Sequence, residues 1–472
     1  MSVLTSRALA RRKPLAACMA SLFALAAPLS CVAANNAVGD CGDGGGATTL
    51  RSLITSGSYS TIDTSACSTI TLTQGSIPVG QANLAINGPT NGTHTKITAI
   101  GSSVKDRIFT HSGTGNFTLA RLDIEYGRAY DGSLSNPGPG VNGGCIASFG
   151  NVILADSSVA HCNANSLHGV VYGGGIFASK LVWAVRSSIT DNVATSISAS
   201  TFGGGVFSGG QFAANYSTIS GNVACPNAGC AGTGGGVVAH GGASIGNSTI
   251  SGNAARSNNG GISLTSYSAT PPTATISNST ISGNVAVTGS VGGVYTTVPL
   301  TVRNSTIAFN SAASGASAAG LSAKARFTSI TVDLNSTLLS NNAFGSTPTA
   351  SDFGTATSGA YWIAVTGADN LIFASASGAV LPSGGGLITA CPLLGPLRDN
   401  GGQANSPHTK THQLFSHSPA FDVGNDTSPV SPPHYDQRGT GFPRSLGMNP
   451  DIGAVEVDQN EVVFNAGFDG CP

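Results

Sequence analysis

Asp123 and Glu125, two residues apart in Leu122-Asp-Ile-Glu, would point to one face of a strand, with Arg128 and Asp131 close behind. Paired carboxylates beside a basic group suit general acid–base cleavage of a glycosidic bond, where one group gives a proton while another takes one or attacks. This is the best-placed catalytic grouping in the chain; the plainer reading is charges alternating on the wet face of a strand. Between Asn142 and Gly345 the only acidic residues are Asp156, Asp191 and Asp333. His161, His168 and His240 are scattered, and no serine nucleophile elbow, phosphate loop or histidine pair at metal-ligand spacing occurs. A second concentration of charge, Arg398, Asp399, Asp422, Asp436, Arg438, Asp451 and Glu456, lies among glycines and prolines. Such spaced polar residues are expected to build a hydrogen-bonded network holding loops over the open end of a scaffold, with a calcium site as the alternative. The sequence therefore assigns no catalytic residue, no cofactor and no metal ligand.

Those residues must be positioned by a repeat. Asn278-Ser-Thr-Ile-Ser-Gly-Asn284 belongs to a series of copies starting at Asp156, Arg186, Tyr216, Asn247, Asn278, Asn304 and Asn335, at intervals of 30, 30, 31, 31, 26 and 31 residues. A near-constant period of this size marks one supersecondary unit stacked on itself. Three residues after each start stand Val159, Ile189, Ile219, Ile250, Ile281, Ile307 and Leu338. Two residues before it stand Leu154, Ala184, Ala214, Ile245, Ile276 and Val302, with Asp333 as the exception, expected to face solvent where the phase slips. The two apolar columns lie five residues apart. One unbroken strand would send that odd offset to opposite faces, so a corner must fall between them.

Six residues after the start come Asn192, Asn222, Asn253, Asn284, Asn310 and Asn341, with Cys162 departing; stacked amides of this kind hydrogen-bond along an axis. Glycine clusters such as Gly173–Gly175 and Gly203–Gly205 precede strand-like runs, Gly175-Ile-Phe-Ala and Gly205-Val-Phe-Ser, where glycine signals a bend or a close backbone approach. The expected fold is all-β, a right-handed parallel β-helix with an N-terminal cap and an irregular C-terminal capping region. Seven coils stacked ~4.8 Å apart make a rod of ~34 Å, lengthened by flanking coils.

The glycine and asparagine columns, ending in strands such as Ile307-Ala-Phe309-Asn310, resemble the repeats of bacterial pectin-lyase-like and polymorphic outer-membrane β-helix proteins. In the N-terminal region, Leu50, Arg51 and Ile54 are similar to part of the segment that begins exported proteins named for a Cys-Ser-Leu-Arg-Glu-Ala motif. A short amphipathic helix there would cap the first coil, whose edges otherwise lie open. Further on, Leu393-Leu-Gly-Pro-Leu-Arg-Asp-Asn-Gly-Gly402, His412-Gln-Leu, Ser418-Pro-Ala-Phe-Asp422, Asp436-Gln-Arg-Gly439 and Asp451-Ile-Gly-Ala-Val-Glu456 resemble the choice-of-anchor Q domain. That resemblance implies surface sorting and no enzymatic activity.

Arg7, Arg11, Arg12 and Lys13 precede an apolar run from Leu15 to Leu29 that closes on Val32-Ala33-Ala34, the layout of a secretory signal peptide. Pro28 stands where a lipid box carries an aliphatic residue, so ordinary cleavage rather than lipidation at Cys31 is expected. No later apolar run reaches the ~18 to 20 residues of a membrane helix. Eight cysteines follow the signal, and an even number in an exported chain reads as disulfides, with Cys145–Cys162 and Cys225–Cys230 the expected pairs. The organisation expected is signal peptide 1–34, cap and first coils 35–130, regular repeats 131–390, anchor-Q-like region 391–458 and tail 459–472. Within this, 128–140 is read as a lateral loop and 346–358 as irregular.

Charged residues make up only 9% of the chain, which leaves little to attract nucleic acid. The expectation is a secreted or outer-surface, non-enzymatic rod for adhesion or cell-surface organisation. Its partners would be surface glycans or components of host or neighbouring cells, held by hydrogen bonds and aromatics such as Tyr126 and Tyr172. The alternative is a polysaccharide lyase or glycoside hydrolase, which many β-helix proteins are.

Overall fold

The computed structural model describes residues 36–101, 105–132, 140–313, 318–345, 348–402, 409–425, 434–458 and 471. The signal peptide at 1–34 and the tail at 459–470 lie outside the described residues, as do 133–139 of the expected lateral loop.

One coil shows the plan. Val182–Val185, Ser188–Thr190, Val193–Ser196, Ser200–Phe202 and Val206–Ser208 each pair with the coils before and after, contributing to sheets here named A to E in that order. Sheets A and B hold 11 strands each, E holds 10, C holds 9 and D holds 4. Among the described strand pairs every one is parallel except Ala343–Phe344 with Thr349–Ala350, at the last rung of sheet C. The chain is an all-β parallel β-solenoid, consistent with right-handed winding.

The expected columns line the interior. Val159, Ile189, Ile219, Ile250, Ile281 and Ile307 are in register along sheet B and fully buried. Leu154, Ala184, Ala214, Ile245, Ile276 and Val302 do the same in sheet A. The corner between them is left-handed in every repeat, at Asp156, Arg186, Tyr216, Asn247, Asn278 and Asn304, with φ between 44° and 50°. Asparagine tolerates that region; Arg186 and Tyr216 occupy it because ladder pairing on both sides holds the backbone there.

The seventh copy is phased one residue later than its spelling indicates. Ser336 is the left-handed corner residue (φ 46°), Leu339 rather than Leu338 pairs with Ile307, and Leu334 rather than Asp333 pairs with Val302. Asp333 faces outward as expected, bonded to Arg303 and Thr366. Asn342, not Asn341, therefore closes the asparagine column. From Asn192 to Asn342 each side-chain amide donates to the Oδ1 of the next at 2.8–2.9 Å and to a backbone carbonyl of the coil before. Asn342 in turn donates to the carboxylate of fully buried Asp352 at 2.8 Å. Burial pushes Asp352 up to about 6. A parallel serine ladder explains the Ser of the repeat: the N–H of Ser157, Ser187, Ser217, Ser248 and Ser279 each donates to the next serine Oγ at 3.1–3.2 Å.

Leu50–Thr55 forms the expected capping helix, N-capped by Thr49, with Leu50, Leu53 and Ile54 buried against the first coil. Arg51 is bidentate to Asp43. Both expected disulfides form, together with Cys41–Cys67 and Cys391–Cys471. Two expected loops are partly strand: Arg128–Asp131 joins sheet C, and Phe353–Thr357 extends sheet E.

The C-terminal region departs from expectation in position. It lies along the flank of sheet B instead of over the open end. Gln437 donates to Thr249 Oγ1 and accepts from Thr280 Oγ1 at 2.6 Å, while Asn247 and Asn278 donate to the carbonyls of Asp436 and Tyr435. Beneath this seam Leu338 and Leu371 pack with Leu394, Leu414, Ile452 and Val455.

Candidate functional site

The N-terminal carboxylates are each held by a neighbouring coil. Asp123 accepts from His94 Nδ1 at 2.9 Å and from Ser158 Oγ at 2.7 Å, and Glu125 pairs with Lys96 at 2.9 Å. These are rungs between adjacent coils on the outer face of sheet B. Arg128 and Asp131 belong to sheet C, where Asp131 accepts from Ser166. Asp156 is likewise held by the next coil's Arg186 at 2.6 Å.

The C-terminal charges do converge in part. One ligand atom from each of Asp422, Asp451 and Glu456 lies within 4.8 Å of the others. Every oxygen of the two buried members already accepts a backbone N–H: Asp451 from Asp422 and Val457, Glu456 from Leu446 and Asp451. Burial raises Asp451 to about 6, while burial and then the Asp451 charge raise Glu456 to about 7. Asp436 is bidentate to Arg438 and also accepts the Glu456 N–H. These bonds tie the flanking layer together, and the carboxylates of Asp422, Asp451 and Glu456 stand close enough to share a cation. Arg398 and Asp399 stand apart, bonded to Asn400 and Gly401.

What the sequence left unassembled is the outer face of sheet E. The middle residue of each three-residue strand points outward: Ala147, Phe177, Phe207, Val238, Ser263 and Tyr295 lie in one register column. Phe177 stacks on Phe207 with centroids 5.7 Å apart and planes 7° from parallel. Beside them in sheet D, Tyr172 stacks on Phe202 at 5.4 Å and meets Phe207 edge-on at 4.7 Å. The aromatic run continues from Phe207 to His240, Tyr267 and Phe327. The glycines make this face possible: a Cβ on Gly174 would overlap the Gly204 carbonyl, so only glycine lets the strands of sheet E start so close to the next coil.

Two cavities open along this run. One, of about 330 Å³, is lined by Phe202, His240, Asn258, Asn259, Tyr267, Tyr295, Lys324 and Arg326 among others. The other, of about 170 Å³, includes Arg107, His111, Asn142, Phe149 and Phe177. Tyr267 is 70% exposed and Phe149 57%. Burial depresses His240 and His111 and raises the Tyr295 phenol, so the histidines favour their neutral form. Among the described residues neither Lys324 nor Arg326 is in an ion pair, and neither cavity is lined by a carboxylate. Tyr172, one of the two aromatics singled out from the sequence, belongs to this aromatic run. Tyr126 does not; it stacks on His161 at a corner. The column Phe177–Phe207 was visible in the repeat as the third residue of two Gly-x-Phe runs, whereas Tyr267 and Phe327 come from loops outside the period.

Fold and groove together define the class: a parallel β-helix with one aromatic, cation-rimmed face. Compared with known proteins, the chain matches no family model, no curated protein and no solved structure.

Proposed function

We propose that this chain is an exported surface β-helix that binds glycans, without cleaving them, along the outer face of sheets D and E. The observation that carries the reading is the aromatic run from Tyr172 to Phe327. Flat, partly exposed rings at coil spacing suit the apolar faces of successive sugar rings, and Asn258, Lys324 and Arg326 supply donors for hydroxyls or carboxylates. Unpaired cations without a lining carboxylate favour acidic glycans. Four disulfides fit an oxidising, extracytoplasmic setting. Among the described residues the groove's lining holds no paired carboxylates of the kind glycoside hydrolysis uses, which favours binding over the lyase or hydrolase alternative. A glycan array, with Tyr267→Ala as control, tests the reading. Selective binding of acidic oligosaccharides that weakens in the variant supports it; release of unsaturated or reducing ends from a bound polymer would replace it with the enzymatic alternative.

A further inference from the structure

Beneath the C-terminal layer, on the opposite strand column of the rod, lies a separate arrangement that the glycan reading does not use. Ser282 sits at the outward position of sheet B, in register with Ser251 before it and Ala308 after it. Among the described residues it alone in that column is met by a histidine: the Oγ of Ser282 lies 2.7 Å from Nε2 of His412, carried by the flanking layer. The other ring nitrogen, Nδ1, lies 2.6 Å from the carbonyl oxygen of Gly395. A carbonyl only accepts, so Nδ1 carries the hydrogen, Nε2 carries the lone pair, and the Ser282 hydroxyl must donate to it. The tautomer is thus set by the backbone, as the orienting member of a nucleophile–base–orienter relay sets it. The Phe309 ring, 4.9 Å away, holds the imidazole from the side.

This pair opens on an apolar cavity of about 480 Å³ walled by Phe309, Leu394, Pro396 and Leu397. Its floor is bare backbone. A Cβ on Gly252 would meet nothing within 4 Å, and one on Gly283 only the Gly252 nitrogen at 3.8 Å. Gly221 in the coil before is also glycine, whereas the equivalent corners beyond these three carry side chains, Asp191, Phe309 and Asn341. The N–H of Gly283, next after the nucleophile, spans a long 3.3 Å to its ladder partner Ala308 O, and is the amide adjacent to where an oxyanion would form.

We propose that Ser282 is an acyl-accepting nucleophile with His412 as its general base, acting on esters whose apolar acyl group fills this cavity. Ser282 Oγ attacks the ester carbonyl carbon while its proton passes to His412 Nε2. The bond to the alcohol oxygen then breaks, that oxygen takes the proton, and the acyl group remains on Ser282. Water attacks the acyl carbon in the same way, giving its proton to Nε2; Ser282 Oγ leaves with that proton and the carboxylic acid is released. Because burial pushes His412 down to about 4, the base is already neutral at pH 5.

A fluorophosphonate probe tests this on the intact protein, with p-nitrophenyl butyrate as the turnover substrate. The expected result is one phosphonyl group per chain, mapped to Ser282 and absent from Ser282→Ala. His412→Gln should label roughly 100-fold more slowly, while Ser220→Ala, in the same outward column but outside the cavity, should label like the parent chain. Labelling should be nearly constant from pH 5 to 8. A folded parent chain that takes up no probe, or a Ser282→Ala variant labelled equally well, overturns the proposal. A Ser–His bond that merely fastens the layer to the rod gives no labelling, so the outcome does not depend on whether the variants fold.

Discussion

Sheets B and E are built from the same coils yet meet their surroundings in opposite ways. On sheet B the outward column through the middle repeats is small, Ser220, Ser251, Ser282 and Ala308, so a second layer lies flat against it and closes a hydrophobic seam around Leu338 and Leu371. On sheet E the same kind of position carries Phe177, Phe207 and Tyr295, large rings beside which cavities remain open at Phe177 and at Tyr295. One outward residue per coil therefore decides whether a face of the solenoid is covered or remains open to a ligand. The shared interior is indifferent to that choice, because the aliphatic and asparagine columns are the same beneath both.

The comparison predicts where substitutions will matter. Asn253→Ala should be the most damaging, since its amide accepts from Asn222 and donates to Asn284 and the Ile219 carbonyl in a dry interior. A loss of about 3 kcal/mol is expected, read from the shift in urea midpoint. Gln437→Ala should cost about 2 kcal/mol by breaking the buried bonds to Thr249 and Thr280. Hydrogen exchange should then rise on the sheet B face and stay unchanged on sheet E.

Acidity should act on the interior and the flanking layer together. Asp352, Asp451 and Glu456 are raised by burial to about 6, 6 and 7. In the window between the ordinary carboxylate range and those values the folded chain holds more protons than the unfolded chain. Their contribution is complete near pH 4 and is lost as pH rises through 6 to 7, so the urea midpoint should fall across that interval. The smallest effect on stability should come from Tyr267→Ala, exposed and outside the ladders: an unchanged midpoint, with affinity for an acidic oligosaccharide reduced roughly tenfold, the loss of one stacking ring.

The legible part of this molecule was whatever repeats. Columns, corners and the amide ladder follow from residues recurring at one period, and Cys162 could be paired with Cys145 because both occupy repeat positions of one coil. The slip at the seventh copy has a local cause: Asn335-Ser336 and Asn341-Asn342 offer two spellings of the same corner and column, and only pairing with Ile307 selects between them. The docking of the C-terminal layer was not legible, because it depends on single contacts such as Thr280 to Gln437 and Ser282 to His412, separated by 157 and 130 residues. The groove falls between these cases, half periodic through Phe177 and Phe207 and half aperiodic through Tyr267.

Hydroxyl-radical footprinting, with and without a bound acidic oligosaccharide, tests the division of faces most directly. In the free protein Tyr267 and Phe149 should be oxidised fast while Leu338, Leu414 and Ile452 are protected; the ligand should then slow oxidation of Tyr267, Phe177 and Tyr172. Rapid oxidation of the Leu338 seam in the folded chain, or ligand protection that falls anywhere other than the outer face of sheets D and E, would contradict the account.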